Sequence, residues 1–318
     1  MSRPIGIASG PRLATAGLAV AFVVCWSSGF VGAKLGTGEA APTTLLMWRA
    51  LPAALLVVPA AWLLARQRTG GRPRLTAGEL RVHLLVGVLS QSGYLLTVYG
   101  AIDLGVSSGT TALVDGVQPL VAAVLVGPLL GASVTGRQWA GLALGLAGVL
   151  LVSWADATAG AGDVPAWAYV VPLGGMLSLL ASTLVERRAA VATAPLTALA
   201  VHTTTSAVLL TALAVATGTA TPPASRDFWV ATAWLVLLAT LGGYGLYWVL
   251  VARIGVVPVN SLMFLVAPVT SVWGAAMFGE PLTAVTVAGL ALTLVAAGAT
   301  TSGGAARRQE AVAAPGRA

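Results

Sequence analysis

The chain has 318 residues, 57% of them hydrophobic and only 8% charged, with a formal net charge of +7 and a mean hydropathy of +0.90. A water-soluble domain carries about a quarter charged residues, so this composition excludes an ordinary soluble protein and, with it, a nucleic-acid-binding reading of the positive charge. The solvent of this chain is lipid.

Ten apolar stretches follow one another, at 13–35, 43–65, 82–102, 106–130, 138–154, 166–185, 195–217, 228–251, 256–278 and 282–302. A helix rising about 1.5 Å per residue needs about 20 apolar residues to cross a hydrocarbon core about 30 Å thick. Most of the stretches meet that length, and 138–154 is the shortest. The first is too long for a signal-peptide core and is expected to be retained. It holds the lone cysteine, Cys25, which reads as a small core residue.

With the N-terminus placed in the cytoplasm, the inner segments carry Arg3, Arg12, Arg66, Arg68, Arg72, Arg74, Arg81, Arg137, Arg187, Arg188, Arg253, Arg307, Arg308 and Arg317. The outer segments carry Lys34 and Arg226, and Arg49 lies inside a span, which accounts for all 17 basic residues. This asymmetry predicts cytoplasmic termini and an even number of spans in the cell membrane. The basic segment 66–81 reads as a topology determinant touching anionic headgroups. The polar tail 303–318 is expected to be disordered.

A faint internal repeat divides the chain. Ala140-Gly141-Leu142-Ala143-Leu144 recurs as Ala288-Gly289-Leu290-Ala291-Leu292, and Gly131 and Thr135 match Gly279 and Thr283 at the same offset. Lys34, Pro42 and Arg49 align with Arg187, Pro195 and His202, and Pro119 pairs with Pro268 after a one-residue slip. The expected fold is therefore all-α and integral to the membrane: ten helices in two five-helix halves, 1–155 and 156–302. Five is odd, so the halves enter the membrane from opposite faces. Inverted repeats of this kind build transporters with the substrate near the midplane.

Two formal charges fall well inside spans, Arg49 in the second and Asp115 in the fourth. A charge at a helix centre costs about 2.5–3.5 kcal/mol on insertion scales, so each needs a partner or a wet cavity. They either pair with each other or meet substrate, Arg49 a carboxylate and Asp115 an amine or a proton. Gln118 follows Asp115 closely. Trp26, Ser27 and Ser28 stand beside Gly29, Gln91 and Tyr94 flank Gly93, and Tyr244 follows Gly242-Gly243. Small-residue stretches at matching places in two halves are where transporter sites lie. The spacing also lets Tyr94 and Tyr244 face each other across a cavity. His202 adds a group that titrates near neutral pH. Pro119 and Pro268 each free a carbonyl one turn earlier and permit a kink. Gly141, Gly145 and Gly148 form a small-residue face for close helix contact.

The run Cys25-Trp26-Ser27-Ser28-Gly29-Phe30-Val31-Gly32-Ala33-Lys34, then Pro42 and Trp48-Arg49, resembles the EamA-like branch of the drug/metabolite transporter superfamily. Phe278-Gly279-Glu280-Pro281-Leu282-Thr283 is similar to that family's signature between the last two helices. The resemblance covers about residues 13–302. One departure stands out: the first half has Gly131-Ala132 where the second has Gly279-Glu280. The resemblance implies a secondary transporter or exporter of small metabolites or amino-acid-like compounds. It also implies a central cavity among helices one to four and six to nine, with helices five and ten at the periphery.

An enzyme is not expected, because no HExxH, CxxC or acidic cluster is present. No cofactor or metal is implied. The expected partners are a small-molecule substrate and the lipid bilayer, with protons as a candidate coupling ion, no nucleic acid, and a monomer or homodimer. A passive channel remains the alternative, since channels also line pores with scattered polar groups.

Overall fold

The computed structural model describes the backbone of residues 10–69, 75–126, 129, 134–159, 164–191 and 193–313. Helix α1 is Gly10–Thr37 and α2 is Pro42–Thr69. Helix α3 runs Ala77–Asp103 with a π-helical turn at Val88–Gly93. Helix α4 comes in pieces: Ser108–Gly116, Gln118–Val121 and a π turn at Ala122–Val126. Helix α5 is Gly136–Ala159, α6 is Ala166–Ala189 and α7 is Pro195–Ala216. Helix α8, Arg226–Ile254, contains a π stretch at Leu235–Gly243. Helix α9 joins Val256–Leu262, a 3-10 turn at Met263–Leu265 and Val266–Phe278. Helix α10 is Ala284–Ala313, with side chains described to Gly298. The expected tail at 303–318 and the Gly131-Ala132 pair thus lie outside the residues whose side chains are described.

Among the described residues there is no strand, and eight helices are long and apolar enough to cross a membrane: α1, α2, α3 and α5 to α9. The stretches expected at 106–130 and 282–302 correspond to the broken α4 and to α10, whose described apolar part, Ala284–Gly298, is shorter than a full span. Hydrocarbon offers backbone groups no hydrogen bonds, so the polar main chain closes on itself within helices. Large apolar side chains such as Leu55, Leu150 and Val215 face outward, 73%, 70% and 64% exposed.

Local chemistry sets the helix ends. Thr76 and Glu79 form a reciprocal capping box at the start of α3. Pro42 and Pro195 open α2 and α7, where a missing N–H costs nothing. Ser107 and Ser225 cap α4 and α8. Gly279 ends α9 in the left-handed region at φ 67°.

Five of the larger helix pairings form a set with an internal symmetry. Helix α5 packs on α10, α2 on α7, α4 on α9, α1 on α8 and α3 on α6. Exchanging each helix for the one five places along leaves this set unchanged. In the α5–α10 pair, a Cβ built on Gly148 would stand 2.6 Å from the Gly289 carbonyl oxygen, and one on Gly289 would stand 2.7 Å from that of Gly148. Only glycine lets the two backbones approach this closely.

Helices α2 and α7 are also joined by hydrogen bonds near one end. The Thr43 and Thr219 hydroxyls lie 2.7 Å apart, the Thr44 hydroxyl donates to the Thr219 carbonyl, and the Trp48 indole donates to the Ala220 carbonyl. These bonds join the start of α2 to the turn after α7.

Candidate substrate-binding site

Arg49, on α2, is buried, and its guanidinium bridges two other helices. Its Nε donates to Thr240 Oγ1 on α8 at 3.2 Å, and a terminal nitrogen donates to the Tyr99 hydroxyl on α3. The guanidinium carbon also lies 5.7 Å from the Tyr99 ring centroid. Thr240 belongs to the π stretch of α8, and its own hydroxyl donates five residues back to the Leu235 carbonyl at 2.9 Å. The local widening of α8 therefore helps set the acceptor that Arg49 uses.

Asp115 is equally buried on α4. One carboxylate oxygen, Oδ2, accepts from the Tyr94 hydroxyl at 3.0 Å. The other, Oδ1, is buried with no partner. Arg49 and Asp115 thus bond to different residues, and the mutual ion pair, one of the two arrangements expected from the sequence, is not formed. Tyr244 completes the group, within electrostatic reach of Arg49, Asp115, Tyr99 and Tyr94.

Tyr94 and Tyr244 occupy matching settings. The π turn of α3 ends at Gly93 directly before Tyr94, and that of α8 ends at Gly243 directly before Tyr244. Single π turns inside α-helices rotate the following side chains and recur at functional sites. A small cavity of about 20 Å³ sits here, lined by Arg49, Gln91, Thr203, Ser206, Thr240 and Tyr244, among others. That is room for about one water.

The remaining sequence candidates take other places. Trp26 packs on Tyr244 with centroids 5.6 Å apart and on Phe22 at 5.5 Å. Ser27 donates across to the Val266 carbonyl of α9, and Ser28 donates back to Cys25 within its own helix. Ser27 therefore ties α1 to α9, whereas the Ser28 hydroxyl is satisfied within α1. Gln118 stands where α4 breaks at Val117 and does not line the Arg49 cavity. His202 lies away from that cavity, its Nε2 3.2 Å from His83 Nδ1. Pro119 and Pro268 each sit just past an interruption, the break in α4 and the 3-10 turn of α9.

Several contributors escaped sequence reasoning. Tyr99 and Thr240 are the direct partners of Arg49, yet each reads as an ordinary span residue; their nearest signals are Tyr94 in the same span and the Gly242-Gly243 pair. His83, to which the sequence assigned nothing, meets His202. Glu280 accepts from the Ser108 amide and hydroxyl at 2.8 and 2.7 Å, and Asp156 accepts from the Ser107 amide at 3.0 Å and from the Thr110 hydroxyl at 2.9 Å. Two carboxylates, from α5 and from the α9–α10 turn, thus hold the start of the helix that carries Asp115.

Residues 13–154, covering α1 to most of α5, match the model of the EamA-like transporter family. The chain carries an EamA-like segment. That family is part of the drug/metabolite transporter superfamily. A solved structure described only as "Crystal structure of protein" is 20% identical, with a TM-score of 0.60 over 90% of this chain and 98% of its own. At that identity the likeness is one of fold, and it extends well past the EamA-like segment. No curated protein matches the chain by sequence.

Proposed function

We propose that the protein is a secondary transporter exporting small metabolites or amino-acid-like compounds by alternating access. In this reading ten spans form two inverted halves, 1–155 and 156–302, with both termini in the cytoplasm and the substrate held between them. The observation that carries the reading is the pair of buried charges on α2 and α4. Arg49 faces a small cavity of mixed polar and apolar lining, and Asp115 holds an unpartnered oxygen beside Tyr94. Such charges inside a membrane mark substrate or ion pathways. The reciprocal helix pairings and the matched Gly-Tyr π turns support the two-half arrangement. Arg49 takes a carboxylate and Asp115 an amine or a proton.

A carrier fits better than a passive channel because the Arg49 cavity has room for only about one water and the matched halves suit alternating access. Flux in proteoliposomes, with a metabolite panel and an imposed pH gradient, tests this. Saturation and trans-stimulation are expected; unitary conductance steps in a planar bilayer would overturn the reading.

A further inference from the structure

A second cavity, of about 400 Å³, lies between α2, α7 and α8 and shares Thr240 and Tyr244 with the Arg49 cavity. Small-molecule sites commonly occupy about 300–1,000 Å³. Away from those two residues its walls are apolar, formed by Leu56, Leu199, Leu241 and Trp248, with Gly245 beside them. A Cβ built on Gly245 would meet no atom within 4 Å, and Gly245, Leu56 and Trp248 are exposed, so the cavity opens there onto the outer surface of the bundle. The polar end of the chamber is the Thr240 hydroxyl, to which the Arg49 guanidinium is bonded. An apolar room with a cation behind one end complements a molecule that has an apolar body and a single anionic head. A groove merely filled by a lipid tail has no need of that buried cation.

We infer that this chamber is a subsite for the apolar body of an organic carboxylate, with the head held by Arg49. The inference rests on Arg49 being the substrate cation and adds what the rest of the substrate must be: an aliphatic or aryl carboxylate rather than a small, highly polar one. Each methylene that enters the chamber leaves water, which tightens binding by roughly fourfold.

The test is competition by unbranched carboxylates, from butanoate to octanoate, against radiolabelled hexanoate on the full chain in lipid nanodiscs. Affinity is expected to climb along the series in the wild type. Gly245→Leu fills the open space without touching Arg49, and is expected to flatten the climb from butanoate to octanoate. Ala60→Phe, from the α2 wall of the same chamber, is expected to do the same and guards against a folding defect in the first variant. Chain-length dependence that is unchanged in both filled variants reflects partition into lipid and overturns the subsite. A flat series in the wild type also overturns it, while leaving Arg49 as the carboxylate ligand. Failure of every carboxylate to compete, with hexanoate itself unbound, overturns the subsite together with the role of Arg49.

Discussion

His83 Nδ1 lies 3.2 Å from His202 Nε2, so the chain's two histidines meet across α3 and α7. The other nitrogen of His83 is 2.8 Å from the Thr193 hydroxyl, and both rings are buried. In a neutral pair one ring donates and the other accepts. His202→Leu would leave His83 Nδ1 buried without a partner, at a cost of about 1–3 kcal/mol. The midpoint of thermal unfolding in detergent should fall for His202→Leu and fall less for His202→Gln. Equal midpoints for wild type and His202→Leu would show that the pair contributes nothing.

Arg49 uses Nε and a terminal nitrogen on separate helices, a fork that lysine lacks. Losing a charge-assisted hydrogen bond costs about 1.5–3 kcal/mol, so Arg49→Lys should lower kcat/KM for flux by about tenfold or more. Flux retained in full by Arg49→Lys would mean that a plain cation suffices.

Asp115→Asn removes the charge and keeps the shape and an acceptor for the Tyr94 hydroxyl. If Asp115 carries the coupling proton, flux in this variant loses its dependence on an imposed pH gradient while substrate exchange continues. Full gradient-driven flux in Asp115→Asn would remove Asp115 from coupling.

Gly148 and Gly289 leave no room for a side chain between α5 and α10. Overpacking of a tight contact costs about 1–3 kcal/mol, so Gly148→Val should lower the unfolding midpoint clearly. Gly136→Ala, at a position with open space, serves as the control and should leave the midpoint near wild type.

Glu280 receives the Ser108 amide and hydroxyl at the start of α4. Loss of a helix cap costs about 0.5–2 kcal/mol. Glu280→Leu is expected to destabilise by that amount, read as a lower unfolding midpoint, whereas Glu280→Gln keeps an acceptor and loses less. A Glu280→Leu protein as stable as wild type would show that Asp156 holds α4 alone.

Much of the candidate site was legible in the sequence. Arg49 and Asp115 stood out because a charge inside an apolar run is costly wherever its helix points. Gly93-Tyr94 and Gly243-Tyr244 stood out through the repeat, although the π turns that precede the tyrosines did not. Those turns arise when a backbone bond slips by one residue against neighbouring helices. Ser27 and Ser28 read as site residues from their composition alone, and only their tertiary neighbours reveal two hydroxyls bonded to carbonyls.

Apolar composition and most helix ends are local properties of the chain, and the sequence determined them unaided. Which side chains meet depends on how each helix is rotated about its axis, and one residue turns a helix by about 100°. An apolar run presents lipid-compatible surface all round, so its own pattern cannot fix that rotation. Packing against the other helices fixes it, and that is what brought His83 to His202, Tyr99 to Arg49 and Glu280 to Ser108.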